Sequence, residues 1–124
     1  MQGGKLMESG VRGLLVYQKA YECTLEIYKQ TTQMPASEMY GLTNQIRRAS
    51  VSVCANLSEG YSKKNYSQTE YKRFLFMSIG SVGETMALAD ICSDVGFMPQ
   101  VFKENIRKRY EEIERMLFGI ANKL

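Results

Sequence analysis

The stretch from Leu42 to Gly60 constrains the fold more than any other part of the chain. Its apolar positions recur at steps of four, three, four, four and three residues, without an intervening proline: Leu42, Ile46, Ala49, Val53, Leu57 and Gly60. This spacing places one apolar stripe along an α-helix and is typical of a helix in a bundle. Twenty residues at about 1.5 Å per residue span roughly 30 Å, the length of a complete bundle.

Three further segments show helical periodicity, and the connections between the segments contain both prolines of the chain. Pro35 prevents continuation of the first helix, while Gly96 and Pro99 are placed to cap and end the third. Ser67 followed by Glu70 matches the capping box that begins a helix. We therefore predict helices over about residues 14–33, 41–61, 67–95 and 100–123.

No apolar-polar alternation typical of strands and no internal repeat is visible in the sequence. The short connections favour antiparallel neighbours. The sequence thus predicts an all-α domain over residues 14–124, an up-down-up-down antiparallel four-helix bundle. Residues 1–13 hold four glycines among polar residues and predict a flexible N-terminal tail.

Two of the predicted helices have more apolar residues, or more small residues, than packing against one neighbouring helix requires. The first has two adjacent stripes, one of Tyr17, Tyr21, Thr24 or Leu25, and Tyr28, and one of Val16, Ala20, Cys23 and Ile27. In the third, Gly80 and Gly83 each cost up to about 1 kcal/mol relative to alanine. Close approach of a neighbouring backbone is the usual compensation for such glycines.

Length and composition indicate one globular domain. The chain has 124 residues, 44% of them apolar and 23% charged, and is large enough to bury a core without metal or disulfide. Three cysteines without a C-x-x-C pair, in a chain with no histidine, argue against a disulfide framework and a zinc site. The start lacks the apolar run of a signal peptide, and no long uncharged apolar stretch follows. We expect a cytoplasmic protein that contacts no membrane and holds no metal or cofactor.

The absence of histidine also bears on catalysis. Acid-base work would fall to carboxylates, tyrosine, lysine or cysteine, and a cysteine nucleophile would lack its usual activating base. The chain has no phosphate-binding loop and no G-x-S-x-G motif, and the Glu-x-x-His pairs of di-iron bundles are impossible. We expect no catalytic residue and a protein that is not an enzyme.

Polar residues flank the apolar stripe of the second helix. Because buried polar groups must be paired, the first interpretation is a structural network that fixes helix register or a subunit contact. Glu59 and Glu84 are the natural partners of Arg47 and Arg48 in it. The alternative is that Arg47 and Arg48 face a phosphate backbone. The two interpretations are compatible, because the arginines lie 100° apart and one can face inward while the other faces outward. The predicted network comprises Gln45, Arg48, Ser52, Asn56, Glu59 and Glu84.

The net charge of +3 is unevenly distributed. Residues 41–80 hold six basic and two acidic groups, while residues 81–100 hold three acids and no base. Tyr61, Tyr66 and Tyr71 lie among these basic residues, and proteins that bind single-stranded nucleic acid interleave basic and aromatic side chains in this way. The same tyrosines could equally pack within the protein. Arg109 borders the stripe of the fourth helix, where its aliphatic stem could pack. The candidate nucleic-acid contacts are Arg47, Lys63, Lys64, Lys72, Arg73, Arg107 and Lys108.

About 80 residues resemble a known family. The matching elements are Tyr40-Gly41-Leu42, Gln45-Ile46-Arg47-Arg48-Ala49, Val51-Ser52-Val53 and Asn56-Leu57-Ser58-Glu59-Gly60, followed by Phe74-Leu75, Gly80-Ser81 and Glu84. They resemble the "four helix bundle protein" family, also called the 23S rRNA intervening-sequence proteins. Tyr17 stands where the family commonly has tryptophan. Cys54 stands where it often has proline, so the second helix is expected to be straighter.

The resemblance implies a bacterial, left-handed antiparallel bundle that assembles into a homopentameric ring. A related branch comprises accessory variability proteins of diversity-generating retroelements, basic pentamers that bind a reverse transcriptase and nucleic acid. Our leading hypothesis is therefore a non-enzymatic oligomer that binds RNA or DNA, or serves a nucleic-acid-handling protein. The alternative is a structural or protein-interaction ring without nucleic-acid contact.

Overall fold

Four α-helices account for most of the chain in a computed structural model that describes residues 10–124. They are α1 (Leu15–Thr31), α2 (Leu42–Tyr61), α3 (Gln68–Asp94) and α4 (Gln100–Ala121). Short 3-10 helices lie at Gly10–Gly13 and Ala36–Glu38, and the described residues contain no strand. The prediction of an all-α fold with four helices is confirmed.

The predicted flexible tail falls largely on residues 1–9, which lie outside the described residues. At residues 10–13 the structure differs from that prediction, because this segment forms the first 3-10 helix. Val11 packs against the core, and its carbonyl accepts a hydrogen bond from the Leu14 backbone N–H at 3.0 Å. An apolar anchor therefore fixes the chain just before α1 begins.

One apolar cluster occupies the space between the helices, and each helix contributes to it at three- and four-residue spacing. In α1 the buried stripe is Val16, Ala20, Cys23 and Ile27. Of the neighbouring stripe, Tyr21, Leu25 and Tyr28 are exposed, while Tyr17 is half-buried and Thr24 is buried. The predicted stripe of α2 is buried from Ile46 to Gly60, with Leu42 half-buried. In α4 the buried residues are Ile106, Tyr110, Ile113, Leu117 and Ala121.

Contacts between neighbouring helices join residues in opposite sequence order. Each helix packs against two others, in the cycle α1, α2, α3, α4 and back to α1. Between α1 and α2 the pairs are Thr24–Ser50 and Thr31–Arg47, and between α2 and α3 they are Val53–Ser78 and Tyr61–Tyr71. Between α3 and α4 they are Asp90–Arg107 and Phe76–Phe118, and between α1 and α4 they are Lys19–Glu112 and Glu22–Arg109.

Both predicted ends of α3 have the expected local geometry. At the start, Ser67 Oγ accepts a hydrogen bond from the Glu70 N–H at 3.1 Å, which satisfies one of the helix's free N–H groups. The reciprocal half of a capping box is absent, because the Glu70 carboxylate pairs with Arg73. At the end, Gly96 has φ +88°, and the N–H of Phe97 reaches the Cys92 carbonyl at 2.8 Å. This is the Schellman arrangement, which requires a left-handed residue at Gly96.

Helices α2 and α3 approach each other closely at Gly60. A Cβ on Gly60 would lie 2.7 Å from the Phe74 Cβ and 3.3 Å from the Tyr71 carbonyl oxygen. The glycines of α3 behave differently, since nothing lies within 4 Å of a Cβ placed on Gly80 or Gly83. The close approach expected at these two positions is therefore absent among the described residues, and both glycines face outward.

The helix α3 is long and apolar enough to meet the length and composition criterion for a membrane span, and 39% of that apolar window is buried inside the protein. A core helix meets the same criterion. A buried hydroxyl joins α3 to α2, because Ser78 Oγ donates to the Val53 carbonyl at 2.7 Å. Such a bond satisfies a buried donor that would otherwise cost about 1–3 kcal/mol.

Tyr110 of α4 is the exception to this pairing. Its side chain is fully buried, and its hydroxyl makes no hydrogen bond of good geometry to a described residue, although the nearby Thr24 hydroxyl slightly offsets the effect of burial on its pKa. Burial raises the pKa of Tyr110 far above its usual value, so the phenol stays protonated. The ring fills the centre of the bundle, whereas burial of the unpaired hydroxyl lowers the free energy of unfolding.

We predict that Gly60→Ala destabilises the protein by about 1–3 kcal/mol, because the added methyl group overlaps the Phe74 Cβ and the helices must separate. Thermal or urea denaturation measures the change. Gly119→Ala is the matched control, since nothing lies within 4 Å of its Cβ position and helix propensity then favours alanine by up to about 1 kcal/mol. Equal stability of the two variants would contradict close packing at Gly60.

We predict that Tyr110→Phe keeps or raises the free energy of unfolding, by up to about 1 kcal/mol, because it removes only an unpaired buried hydroxyl. Tyr110→Ala, which also removes the ring, should cost about 3–5 kcal/mol. Chemical denaturation of the three proteins provides the comparison. A loss of 1 kcal/mol or more in Tyr110→Phe would mean that the hydroxyl has a partner.

Candidate nucleic-acid interface

The connection between α2 and α3 forms a basic surface at one end of these two helices. Successive turns shape it: the N–H of Lys63 bonds to the Gly60 carbonyl at 2.9 Å, and the N–H groups of Tyr66 and Ser67 both bond to the Lys63 carbonyl. The backbone is thus satisfied locally, and most side chains of residues 62–70 are exposed or half-buried at this surface. We call Lys63, Lys64, Tyr66, Lys72 and Arg73 the basic connection.

Two of its four cations already have acidic partners. Lys63 Nζ lies 3.5 Å from Glu59 Oε2, one helical turn away. Arg73 bonds to both Glu70 carboxylate oxygens, at 3.0 and 3.2 Å. This exposed pair lowers the pKa of Glu70, first through the hydrogen bond from Arg73. The positive field of both cations is therefore partly neutralised.

Lys64 and Lys72 have no carboxylate partner among the described residues. Lys64 is exposed, and its Nζ lies 4.8 Å from the centroid of the Tyr61 ring, a cation-π distance. Lys72 is half-buried on the first turns of α3. Two free ammonium groups are thus present on the basic connection.

The three tyrosines of this region have different roles. Tyr61 and Tyr71 contact each other edge to face, with centroids 6.2 Å apart, and Tyr71 is buried in the core. Tyr66, in contrast, is 74% exposed. Only Tyr66 therefore has the open ring face that stacking on a base requires, whereas Tyr61 and Tyr71 pack.

Arg47 is held by α1 rather than directed to solvent. Its Nε donates to Thr31 Oγ1 at 2.9 Å, its Nη2 donates to the Tyr28 carbonyl at 3.3 Å, and its Cζ lies 4.7 Å from the Tyr28 ring centroid. The arginine thus satisfies a carbonyl in the last turn of α1, where positive charge is favourable. This geometry indicates a structural clamp.

The basic run of α4, Arg107-Lys108-Arg109, likewise contains both paired and unpaired side chains. Arg107 Nη1 lies 2.8 Å from Asp90 Oδ2, and Arg109 Nη2 lies 3.8 Å from Glu22 Oε1. Lys108 is exposed without a partner among the described residues. Of the seven candidate cations, the free ones are therefore Lys64, Lys72 and Lys108.

The structure does not bring the predicted polar network together. Asn56 Nδ2 donates to the Ser52 carbonyl and hydroxyl at 3.0 and 3.2 Å, but this is a local contact within α2. Glu59 pairs with Lys63, while Gln45, Arg48 and Glu84 are exposed and make no bond to any described side chain.

The predicted partners of the arginines are thus corrected, and helix geometry gives the reason. At 100° per residue Arg48 lies 140° around α2 from Val53, whose carbonyl faces α3. Arg48 consequently projects away from α3. Glu84 lies two residues beyond buried Val82 and also projects outward. The sequence spacing had put these residues beside the apolar stripe but did not determine which way their side chains point.

A shallow apolar groove runs between α1 and α2, with a volume of about 330 Å³. It is lined by Tyr17, Tyr21, Thr24, Val51, Cys54, Ala55 and Ser58. Burial raises the pKa of its one thiol, that of Cys54, more than the hydrogen bond with Thr24 lowers it, so the thiol stays protonated near neutral pH. Burial likewise raises the pKa of Cys23 to about 11. The tyrosine stripe of α1 was visible in the sequence, but its pairing with Val51 and Ala55 was missed.

No group of three or more His, Cys, Asp or Glu side chains able to hold a metal ion occurs within residues 10–124. The groove has neither a carboxylate nor an activating base in its lining.

Comparison with known proteins places the fold. Residues 12–119 match the family model described as 23S rRNA-intervening sequence protein. The fold is similar to a crystal structure from Bacteroides thetaiotaomicron VPI-5482, described as a protein with unknown function from the S23 ribosomal protein family. The TM-score is 0.77 at 19% identity, over 87% of this chain and 96% of that chain. Comparison with curated proteins gives no match. Because the family model spans most of its length, the chain belongs to the 23S rRNA-intervening sequence protein family.

Proposed function

We propose that this protein is a non-enzymatic, cytoplasmic homo-oligomer that binds single-stranded RNA or DNA through the basic connection. The supporting observation is the placement of two unpaired ammonium groups, those of Lys64 and Lys72, in the same connection as the exposed ring of Tyr66. Lysines neutralise phosphates, and an open tyrosine ring stacks on a base of any sequence. The family name is consistent with an RNA-related role.

Assembly is what would make this modest charge effective. One copy offers only two or three cationic side chains without an acidic partner among the described residues, which is few for binding a polyanion such as RNA or DNA. Several copies around an axis would present the basic connection repeatedly and gain affinity through multivalency. The reverse order of the helix contacts supports an up-down-up-down antiparallel bundle, which we take to be left-handed and to form the pentameric ring that the family resemblance implies.

The exposed apolar side chains support self-association independently of the resemblance. Leu25 is 54% exposed, and Tyr21, Tyr28 and Val51 are each about two-fifths exposed on the same side of the protein. Contiguous apolar surface of this kind marks interaction sites.

The alternative function is a structural or protein-interaction ring that touches no nucleic acid, for example an accessory to a nucleic-acid-handling enzyme. It is favoured by one observation: Lys63, Arg73 and Arg107 already form ion pairs within the chain, and Arg47 is used by α1. In that case the basic connection is a solvated surface, and the exposed apolar sides perform the function.

We predict that the K64E/K72E double variant loses at least about tenfold of its affinity for single-stranded RNA or DNA, because two phosphate contacts become repulsions. The dependence of log affinity on log salt should become shallower by about 1 to 1.5. Fluorescence anisotropy of a labelled 20-nucleotide probe, titrated at low and moderate salt, gives both quantities.

The control for this experiment is K29E/K123E. Both lysines are exposed without a partner among the described residues, and the change in net charge is the same. Equal loss in the control would show a nonspecific charge effect. No binding by the native protein at either salt concentration would reject nucleic-acid binding and favour the interaction ring.

We predict that the native protein is larger than one chain in solution. Five copies of the 14.1 kDa chain would give about 70 kDa by size-exclusion chromatography with multi-angle light scattering. A mass near that of one chain at micromolar concentration would reject the oligomer.

A further inference from the structure

The outward side of α3 is an apolar strip with a single charge. Phe76, Met77 and Ile91 are each more than two-fifths exposed, and Gly80, Gly83 and Ala87 lie exposed between them. We call these six residues the α3 strip. Glu84 is the only charged residue between Arg73 and Asp90, and it is exposed. Gly80 and Gly83 face solvent with no neighbouring atom, and each lowers helix stability by up to about 1 kcal/mol relative to alanine. Within one copy no packing contact compensates for this loss.

The groove between α1 and α2 has complementary character. Its lining is almost wholly apolar, and Leu25 and Tyr28 extend the apolar surface beyond it. Arg48 lies one turn before Val51 on the same exposed side of α2 and makes no bond to any described residue. One unpaired cation therefore borders the groove, as one unpaired anion borders the α3 strip.

We propose that the α3 strip of one copy packs into the α1/α2 groove of a second copy, with Glu84 of the first forming an ion pair with Arg48 of the second. This inference rests on the proposed self-association and adds the surfaces and the register. Charge complementarity identifies the occupant, because each apolar surface carries the single free charge that the other lacks.

Spacing along the two helices agrees with this register. Phe76 lies eight residues from Glu84, about 12 Å along α3. Cys54 and Ser58, in the groove, lie six and ten residues from Arg48, about 9 and 15 Å along α2. With the two helices antiparallel and Glu84 against Arg48, Phe76 is therefore level with the groove. Phe118 of α4 packs edge to face on Phe76 at 6.1 Å and widens the apolar projection.

Gly80 and Gly83 lie between the ion pair and Phe76. Without side chains there, the backbone of α3 can approach the groove closely, which is the compensation that these glycines lack within one copy. The two surfaces belong to different helices, so the contact is heterologous: every copy offers one strip and one groove. Such contacts propagate until the rotation closes a ring.

Charge reversal with rescue tests the ion pair. R48E and E84R should each weaken self-association at least about 30-fold, because a buried like-charge pair replaces an ion pair. The R48E/E84R double variant should recover most of the native association, since every contact then joins the reversed charges. Sedimentation velocity across a dilution series measures all four proteins, and circular dichroism confirms that each is folded.

Two further variants complete the design. R115E reverses an exposed, unpaired charge of α4 and should associate like the native protein. Gly80→Leu should leave the single copy at least as helical, because leucine is the better helix former, but should block association through the added bulk.

The possible results separate this inference from the proposed function. A native protein that stays a single chain rejects self-association and this contact together. A native oligomer unaffected by R48E, E84R and Gly80→Leu rejects the contact alone. Loss in both single variants without recovery in the double variant also rejects the Arg48–Glu84 pair.

Discussion

The packing of α2 against α3 is the contact on which the rest of the structure depends. At one end Gly60 allows the Phe74 Cβ and the Tyr71 carbonyl oxygen to approach within a distance that a side chain at residue 60 would prevent. Further along, Ser78 donates to the Val53 carbonyl. These two contacts set the separation and the register of the helices, and a fixed register determines where the basic connection lies and which sides of both helices face outward.

The helices could be predicted from the sequence because the apolar periodicity, the capping residues and the prolines all indicate the same helix boundaries. The stripe from Leu42 to Gly60, the N-cap at Ser67 and the glycine at Gly96 all act locally, so the structure reproduces them with few changes. Within one copy the close approach occurs at Gly60 and not at Gly80 or Gly83. Periodicity gives the angular position of Gly60 and of Gly80 on their helices, but it does not say which of them has a neighbour.

The candidate site was harder to predict, because the partner of a charged side chain depends on tertiary geometry. Arg47 and Arg48 are adjacent in sequence, yet one clamps the end of α1 and the other projects into solvent. The carboxylates that seemed available to them face elsewhere or bind lysine. Composition located the basic connection correctly, but only the structure distinguishes Lys64 and Lys72 from the cations that are already paired.

The buried thiols have a consequence for how the protein responds to its surroundings. Cys23, Cys54 and Cys92 all have raised pKa values because burial disfavours the thiolate, and the chain has no histidine. The three thiols therefore stay protonated near neutral pH, and the sequence contains no imidazole to titrate there, so we expect a change in ionic strength to alter the electrostatic contacts of residues 10–124 more than mild acidification does.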